Sequence, residues 1–202
     1  MNNIDSYYQK RSDIYNHVKN ANTYEKIALA FLMACFTGIM AQIAIPLPFT
    51  PVPITFQTFA VLIAGLFLGK KYGLLSQIFY VGLGLVIPWY SGMVGGLSVL
   101  LGSTCGYFIG FIICAYFVGY ISEKYPESRN FRKMTVVLLI ANFVTIYVPG
   151  LLGLYAAFLF GKGVSLSLVQ VLTMGLVPFI IGDIIKVLAG SSISKILLPK
   201  NE

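Results

Sequence analysis

Residues 27–45 read IALAFLMACFTGIMAQIAI, a run without a single charged side chain. A helix of that length spans roughly 30 Å, which matches the hydrocarbon core of a bilayer. Apolar residues make up 57% of the chain and charged residues only 10%, against roughly 25% in soluble domains. Because a soluble exterior must be hydrated, this composition predicts an all-α integral membrane protein.

Five further apolar segments follow, and together with the first they predict a bundle of six transmembrane helices. The second segment is short for a span. The fifth and sixth contain Pro149 and Pro178, so a kink at Pro149-Gly150 and an interruption around Pro178 are expected. The predicted segments are approximately Ile27–Ile45, Thr55–Gly69, Tyr72–Trp89, Leu97–Ile121, Met134–Phe160 and Leu166–Leu198.

The basic residues lie almost entirely on one side of this arrangement. The exceptions are Lys162, in an outer loop, and Lys186, inside the sixth segment. By the positive-inside rule the basic side is cytoplasmic, so both termini are predicted to be cytoplasmic. The net charge of +7 then reflects membrane topology and not nucleic-acid binding. The residues on that side are Lys10, Arg11, Lys19, Lys26, Lys70, Lys71, Lys124, Arg129, Arg132, Lys133, Lys195 and Lys200.

Two regions outside the spans each allow two interpretations. Residues 1–22 are polar and precede the membrane domain at 23–202. They fit either an amphipathic helix on the membrane surface or a partly disordered extension. Residues 46–54, PLPFTPVPI, contain four prolines and no charge. Such a stiff segment fits either a lid over a pocket or a tight connector.

Asp183 and Lys186 give the sharpest functional signal. They are one helical turn apart within the apolar run FIIGDIIKVL at 179–188. Each costs about 2.5–3.5 kcal/mol at the centre of a membrane helix on insertion scales, so charges there usually serve a function. The alternative is a neutralised pair that only holds two helices together.

The chemistry of this pair indicates a type of ligand. A carboxylate only accepts hydrogen bonds and an ammonium only donates them, so a small molecule with N–H donors and a separate carboxylate would satisfy both. Other polar or aromatic residues could complete the site, although each alone is more often a packing residue. The predicted substrate-binding residues are Asp183, Lys186, Gln57, Thr55, Thr104, Tyr107 and Tyr90, with Trp89 as a possible wall.

Small residues recur every fourth position in two of the predicted spans. In the fourth span they are Gly102, Gly106 and Gly110, and we interpret them as packing within the bundle. In the first span, Ala30 and Ala34 begin a stripe that continues to residue 38. That stripe allows either internal packing or docking of a separate membrane subunit.

The motifs of several enzyme classes are missing. The sequence has no G-x-x-x-x-G-K-[ST] phosphate loop, no H-E-x-x-H and no G-x-S-x-G, which argues against an ATPase or an intramembrane hydrolase. Cys35, Cys105 and Cys114 lie inside apolar runs, and the single histidine, His17, is far from them in sequence. We therefore expect buried thiols, with no metal, disulfide or cofactor.

Three stretches resemble the signature of the BioY family, the biotin-specific substrate-binding (S) components of energy-coupling-factor (ECF) transporters. They are PFTPVPITFQTF at 48–59, GGL at 95–97 continuing into LGSTCGYFIGF at 101–111, and PFIIGDIIK at 178–186. The resemblance covers roughly residues 24 to 195. One departure is Gly102-Ser103-Thr104-Cys105, where the family often has Gly-Pro-Thr-Gly. Loss of the proline predicts a straighter start to the fourth span.

The resemblance implies a six-helix fold in the cell membrane, with a biotin pocket near the outer face. It implies that Asp183 accepts from the ureido ring of biotin and that Lys186 meets a polar end, most simply the carboxylate. It also implies partners, namely a transmembrane coupling subunit that docks at Ala30 and Ala34, and two cytoplasmic ATPases. The alternatives are an S component for another vitamin and a proton-coupled biotin carrier that works alone, with a membrane enzyme as a further rival.

Overall fold

The computed structural model describes residues 3–199, so Lys200 lies outside the described residues. Helices account for most of the described chain. The elements are α1 Asn3–Asn20, α2 Thr23–Gln42, β1 Ala44–Ile45, β2 Ile54–Thr55, α3 Gln57–Leu83, α4 Leu97–Leu100, α5 Cys105–Lys124, a 3-10 turn Pro126–Arg129, α6 Phe131–Ile140, a π-helical segment Ala141–Ile146, α7 Tyr147–Lys162, α8 Leu168–Gly175, a 3-10 turn Val177–Phe179 and α9 Ile180–Leu197.

Five helical segments in the described chain are long and apolar enough to cross a membrane. The first, α2, begins sharply because Asn22 and Glu25 form a capping box, in which each side chain accepts from the backbone N–H of the other. The five segments are Thr23–Gln42, Gln57–Leu83, Cys105–Lys124, Phe131–Lys162 and Leu168–Leu197.

The second of these segments, α3, turns back on itself at Gly69. The Gln57 amide nitrogen lies 2.7 Å from the Tyr80 hydroxyl, whereas residues so spaced on a straight helix would be roughly 35 Å apart. Gly69 has φ +71°, and a Cβ there would lie 1.8 Å from Oε1 of Glu123. Only glycine fits this turn. The predicted second and third segments are therefore two antiparallel arms of one hairpin, and the second arm ends at Leu83, not at Trp89.

The helices are interrupted near both prolines. In the fifth segment the irregular turn is the π-helical stretch 141–146, just before the expected kink at Pro149-Gly150. Pro149 lacks an N–H and its ring crowds the carbonyl of residue 145, so the distortion lies on the preceding turn. Around Pro178 a 3-10 turn separates α8 from α9, which confirms the predicted interruption.

The start of the predicted fourth span differs from expectation. We expected residues 97–121 to run straighter without the family proline, but α4 ends at Leu100 and α5 begins only at Cys105. The backbone already turns at Gly96, where φ is +93°. The break therefore does not depend on a proline.

Helix α5 lies at the centre of the bundle, between the α3 hairpin and α7. Gly106 makes this contact possible, because a Cβ there would lie 1.8 Å from the Pro149 carbonyl oxygen. A Cβ on Gly110 would lie 2.7 Å from Cα of Ile146. These close approaches confirm packing within the chain for Gly106 and Gly110, whereas Gly102 lies before α5 and its nearest neighbours are the carbonyls of Ser98 and Val99 in the preceding turn.

The small residues of α2 are also buried inside the chain. Ala30 and Ala34 are fully buried, and residue 38 packs against the ring of Trp89. Helix α2 makes its main contact with the α3 hairpin. In this conformation neither alanine is available to a partner, so the geometry favours internal packing over the docking role that we expected for them.

Candidate functional site

A cavity of about 330 Å³ lies among the first arm of α3, the start of α5 and α9, and we call it the Asp183 cavity. This volume is at the lower end of the range of about 300–1,000 Å³ typical of small-molecule sites. All seven residues predicted to bind substrate line it: Asp183, Lys186, Gln57, Thr55, Thr104, Tyr107 and Tyr90. Residues that are distant in sequence therefore converge on one site.

The proline-rich segment 46–54 covers part of this cavity. Strands β1 and β2 pair antiparallel at its two ends, and Pro51, Val52 and Pro53 line the cavity. The Thr50 hydroxyl donates to the Met174 carbonyl at 2.7 Å, which ties the loop to α8. This arrangement favours the lid over the simple connector.

Lys186 uses all three of its N–H donors inside the protein. Its ammonium donates to Oδ1 of Asp183 at 2.7 Å, to the Thr55 carbonyl at 2.6 Å and to the Thr58 hydroxyl at 3.0 Å. The side chain is 6% exposed and that of Asp183 is 1% exposed. A buried ammonium tolerates such burial only when it is both paired and hydrogen-bonded.

Asp183 is equally well satisfied. Its Oδ1 accepts from Lys186 and, at 3.2 Å, from the Thr58 hydroxyl. Its Oδ2 accepts from the Asn142 amide at 2.7 Å and from the Tyr147 hydroxyl at 2.6 Å. Four donors match the acceptor capacity of an ionised carboxylate. The pair is therefore a neutral, preorganised unit, and a ligand must replace one of these bonds to reach it.

The Thr58 hydroxyl is the contact that a ligand can replace most easily. It donates to Asp183 and accepts from Lys186, and both bonds are the longest that those two groups make. A ligand that carries an N–H beside a carbonyl oxygen offers the same pattern of donor and acceptor. The hydrogen bonds of the Thr58 hydroxyl therefore indicate which ligand chemistry the site suits.

Gln57 and Thr55 extend the polar wall from the start of α3. The Thr55 hydroxyl donates to the Gln57 side-chain oxygen at 2.9 Å, and the Gln57 amide donates to the Tyr80 hydroxyl. Both residues are buried, at 6% and 9% exposure. Their hydrogen bonds fix the orientation of the Gln57 amide beside the cavity.

Aromatic and hydroxyl groups form the opposite wall. The Tyr107 hydroxyl donates to the Gly175 carbonyl at 2.7 Å, and the Tyr90 ring packs on Phe108 with centroids 4.7 Å apart. Burial raises the pKa of the Tyr90 hydroxyl, so it stays neutral. Trp89 does not line the cavity, because its indole N–H donates to the Tyr80 carbonyl.

Sequence reasoning missed Thr58, Asn142 and Tyr147. Thr58 follows Gln57 directly and looked like one more residue of an apolar helix. Asn142 did give a usable signal, as a lone amide within the apolar fifth segment. Nothing in the sequence indicated that Tyr147 would face Asp183, because the π-helical turn before it changes the helical phase.

Within residues 3–199 no group of three or more His, Cys, Asp or Glu side chains is placed to hold a metal ion. Cys35, Cys105 and Cys114 are unpaired thiols. The polar groups of the Asp183 cavity are suited to an organic ligand.

Comparison with known proteins gives a consistent result. The BioY family profile matches residues 12–200. A probable biotin transporter BioY of Methanothermobacter thermautotrophicus is 40% identical over 138 residues, which cover 68% of this chain and 88% of the relative. The biotin transporter BioY of Thermotoga maritima is 35% identical, with coverage of 79% and 89%.

A solved structure also matches. It is a 2.1 Å crystal structure of the S-component for biotin from an ECF-type ABC transporter. The TM-score is 0.74 at 27% sequence identity, and the match covers 85% of this chain and 89% of the solved one.

Proposed function

Because the chain belongs to the BioY family, we propose that it is the biotin-binding subunit of a transporter that carries biotin across a membrane. The observation that carries the proposal is the convergence of all seven predicted residues on one cavity around a buried Asp–Lys pair. The chain has no phosphate loop, so ATP hydrolysis by that route belongs to other subunits.

In this proposal the chain crosses the cell membrane with six helices, and both of its termini lie in the cytoplasm. The two arms of α3 supply the second and third crossings, although each is short for a span. Contacts between the two ends of the described chain support a common side of the membrane for both termini. The Arg11 side chain donates to the Leu198 carbonyl, and the Arg129 side chain donates to the Pro199 carbonyl. The basic residues near these ends make that side cytoplasmic.

The partners are an ECF transmembrane coupling subunit and two ATPase subunits, as for the S-component type. Ala30 and Ala34 take part in docking only if α2 moves away from the α3 hairpin, because both are fully buried. The exposed face of α2, with Phe31, Leu32 and Ile39, is available without such a movement.

The geometry changes our expectation of how biotin is held. The ureido ring and the carboxylate of biotin lie at opposite ends of the molecule, whereas Asp183 and Lys186 are 2.7 Å apart. One ureido group with adjacent N–H and C=O fits both residues, in place of the Thr58 hydroxyl. The carboxylate then points toward Ser91, Ser98 and Ser103, which line the same cavity.

Equilibrium binding to the detergent-purified chain tests the function. We expect saturable biotin binding, and we expect that an excess of thiamine or riboflavin does not displace the biotin. In Asp183→Asn, loss of a charge-assisted hydrogen bond should weaken binding roughly 10- to 150-fold. The matched control is Ser192→Ala on the same helix, where a partly exposed hydroxyl donates to the Leu188 carbonyl outside the cavity. A monodisperse, helical wild type that does not bind biotin would refute the assignment.

Biotin amide, which lacks the carboxylate charge, tests the orientation. If Lys186 meets the ureido oxygen, Lys186→Met weakens binding of biotin and of biotin amide by the same factor. If Lys186 meets the carboxylate instead, the variant loses affinity for biotin but little for the amide.

The second candidate function is proton-coupled transport of biotin by this chain alone. A proton carried by Asp183 would have to displace one of the four donors that its two oxygens already accept from, so the geometry does not favour a role as a proton site. Uptake by vesicles that contain only this chain, and that stops when the proton gradient is collapsed, would instead support that carrier.

A further inference from the structure

A second cavity, of about 460 Å³, lies at the other end of α5, and we call it the basic cavity. Ser122 and Glu123 line it, whereas Tyr107, roughly 24 Å away along the same helix, lines the Asp183 cavity. Its walls come from α1, from the start of α2, from the Gly69 turn of α3 and from the end of α5.

Positive charge exceeds negative charge in this cavity. Glu123 is the single carboxylate in the described lining, and its side chain is 44% exposed, 3.9 Å from the ammonium of Lys70. The basic residues of the lining are Lys19, Lys26, Lys70, Lys71 and Arg129. Like charges placed so close repel one another, so the cavity favours an anionic ligand.

Arg129 supports the frame of the cavity. It is 2% exposed, and it donates to the Ser122 carbonyl at 3.1 Å, to the Pro199 carbonyl at 2.8 Å and to the Tyr15 hydroxyl at 2.6 Å. Its planar fork thus joins α1, the end of α5 and the C-terminal residues. These bonds use the Arg129 guanidinium to hold the walls of the cavity in place. Lysine side chains, and not Arg129, therefore contact the ligand.

The lysines beside the Gly69 turn are available to an anion. The Lys71 ammonium lies over the Tyr72 ring at 5.5 Å and that of Lys70 over the Tyr120 ring at 5.7 Å. Such contacts hold an ammonium in place without using all of its N–H donors.

The lining is apolar as well as basic. Leu66, Phe67 and Leu68 contribute to it, and α2 exposes Ile27 and Phe31 within the two turns that follow Lys26. A free inorganic anion would use only the ammonium groups, whereas an amphiphile would use both kinds of surface. The basic side of a membrane protein faces the leaflet in which anionic lipids attract lysine and arginine.

We propose that the basic cavity binds the phosphate headgroup of an anionic phospholipid, with Lys70 and Lys71 as its main contacts. Arg129 positions the walls, and the acyl chains lie along the exposed apolar surface of α2. The proposal rests on the membrane orientation given above and not on the identity of the transported ligand.

Native mass spectrometry of the full chain in detergent, with added phosphatidylglycerol or phosphatidylcholine, tests this site. We expect wild type to retain phosphatidylglycerol preferentially. Lys70→Gln/Lys71→Gln should weaken that retention roughly 30-fold. The matched control is Arg132→Gln/Lys133→Gln, which removes the same charge from exposed residues outside the cavity and should change retention less than twofold.

A variant that should strengthen lipid retention, and not weaken it, sharpens the test. Glu123→Gln removes the single carboxylate of the described lining but keeps an oxygen that can accept from the Lys70 backbone N–H, as Glu123 does at 3.1 Å. It should strengthen phosphatidylglycerol retention roughly fivefold. Unchanged or weaker retention in this variant would contradict the proposal.

Three other outcomes would overturn the proposal of an anionic lipid site. Equal losses in the two double variants would mean general surface attraction. Equal retention of the two lipids by wild type would mean no anionic site. Competition by millimolar inorganic phosphate would mean a site for soluble anions. Biotin binding by the same samples reports on the proposed function separately, because no described residue lines both cavities.

Discussion

The Asp183 cavity and the basic cavity hold their charges in opposite ways. In the Asp183 cavity one acid faces one base at 2.7 Å, and every donor of the ammonium is used. In the basic cavity the described lining has five basic residues and one carboxylate. Deep burial therefore requires a balanced and fully hydrogen-bonded pair, whereas unbalanced charge is tolerated where lipid headgroups and water can reach it.

The largest expected effect comes from unbalancing the Asp183 cavity. Asp183→Asn leaves the Lys186 ammonium buried without a counter-charge and should cost about 3–5 kcal/mol of stability. Asp183→Asn/Lys186→Met removes both charges and should recover most of that loss. Thermal unfolding in detergent measures both variants. A double variant as unstable as the single one would show that the pair is not the balanced unit described here.

The next largest effect concerns Arg129, the deeply buried cation in the described lining of the basic cavity. Arg129→Lys cannot reproduce the fork that joins Ser122, Pro199 and Tyr15, and loss of two such bonds should cost roughly 3 kcal/mol. Arg132→Lys, at an exposed position nearby, should change stability by less than about 0.5 kcal/mol. Similar unfolding temperatures for the two variants would contradict the role of Arg129 as a structural support.

A smaller effect should follow from removing one donor from Asp183. Tyr147→Phe deletes a hydroxyl 2.6 Å from Oδ2 and should cost about 1.5 kcal/mol of stability, with weaker biotin binding. Tyr155→Phe, at a partly exposed position of the same helix, is the control and should be neutral. If both variants behave like wild type, the Tyr147 hydroxyl does not hold the carboxylate.

The smallest expected effect is that of salt on biotin binding. Raising the salt concentration from 50 mM to 500 mM shortens the Debye length to a few ångströms, which screens exposed charges far more than buried ones. Biotin affinity should therefore change less than twofold, while phosphatidylglycerol retention at the basic cavity falls several-fold. Parallel salt titrations on one preparation measure both, and a strong salt dependence of biotin binding would place its charged contacts in solvent.

Much of the Asp183 cavity could be predicted from sequence, because charges inside apolar segments are few and conspicuous. Asp183 and Lys186 stood out for their cost in a membrane, and Gln57 and Thr55 stood out beside the proline-rich segment. Thr58 and Tyr147 could not be found this way, since their importance comes from the side chains opposite them. The proposal that Lys186 meets the ureido group also depends on the distance of 2.7 Å between the two charged side chains, which the sequence does not give.

By itself the sequence determined the membrane class, the approximate apolar segments, the basic side and the break at Pro178. Each of these depends on local composition, because a segment of about one helix length must be apolar to cross the bilayer and the charges beside it set its orientation. Only the tertiary structure decided that Gly69 reverses α3, that Ala30 and Ala34 are buried and that basic residues of four elements surround one cavity. Those outcomes depend on which surfaces meet across the bundle, and small residues permit a close approach without specifying the neighbour.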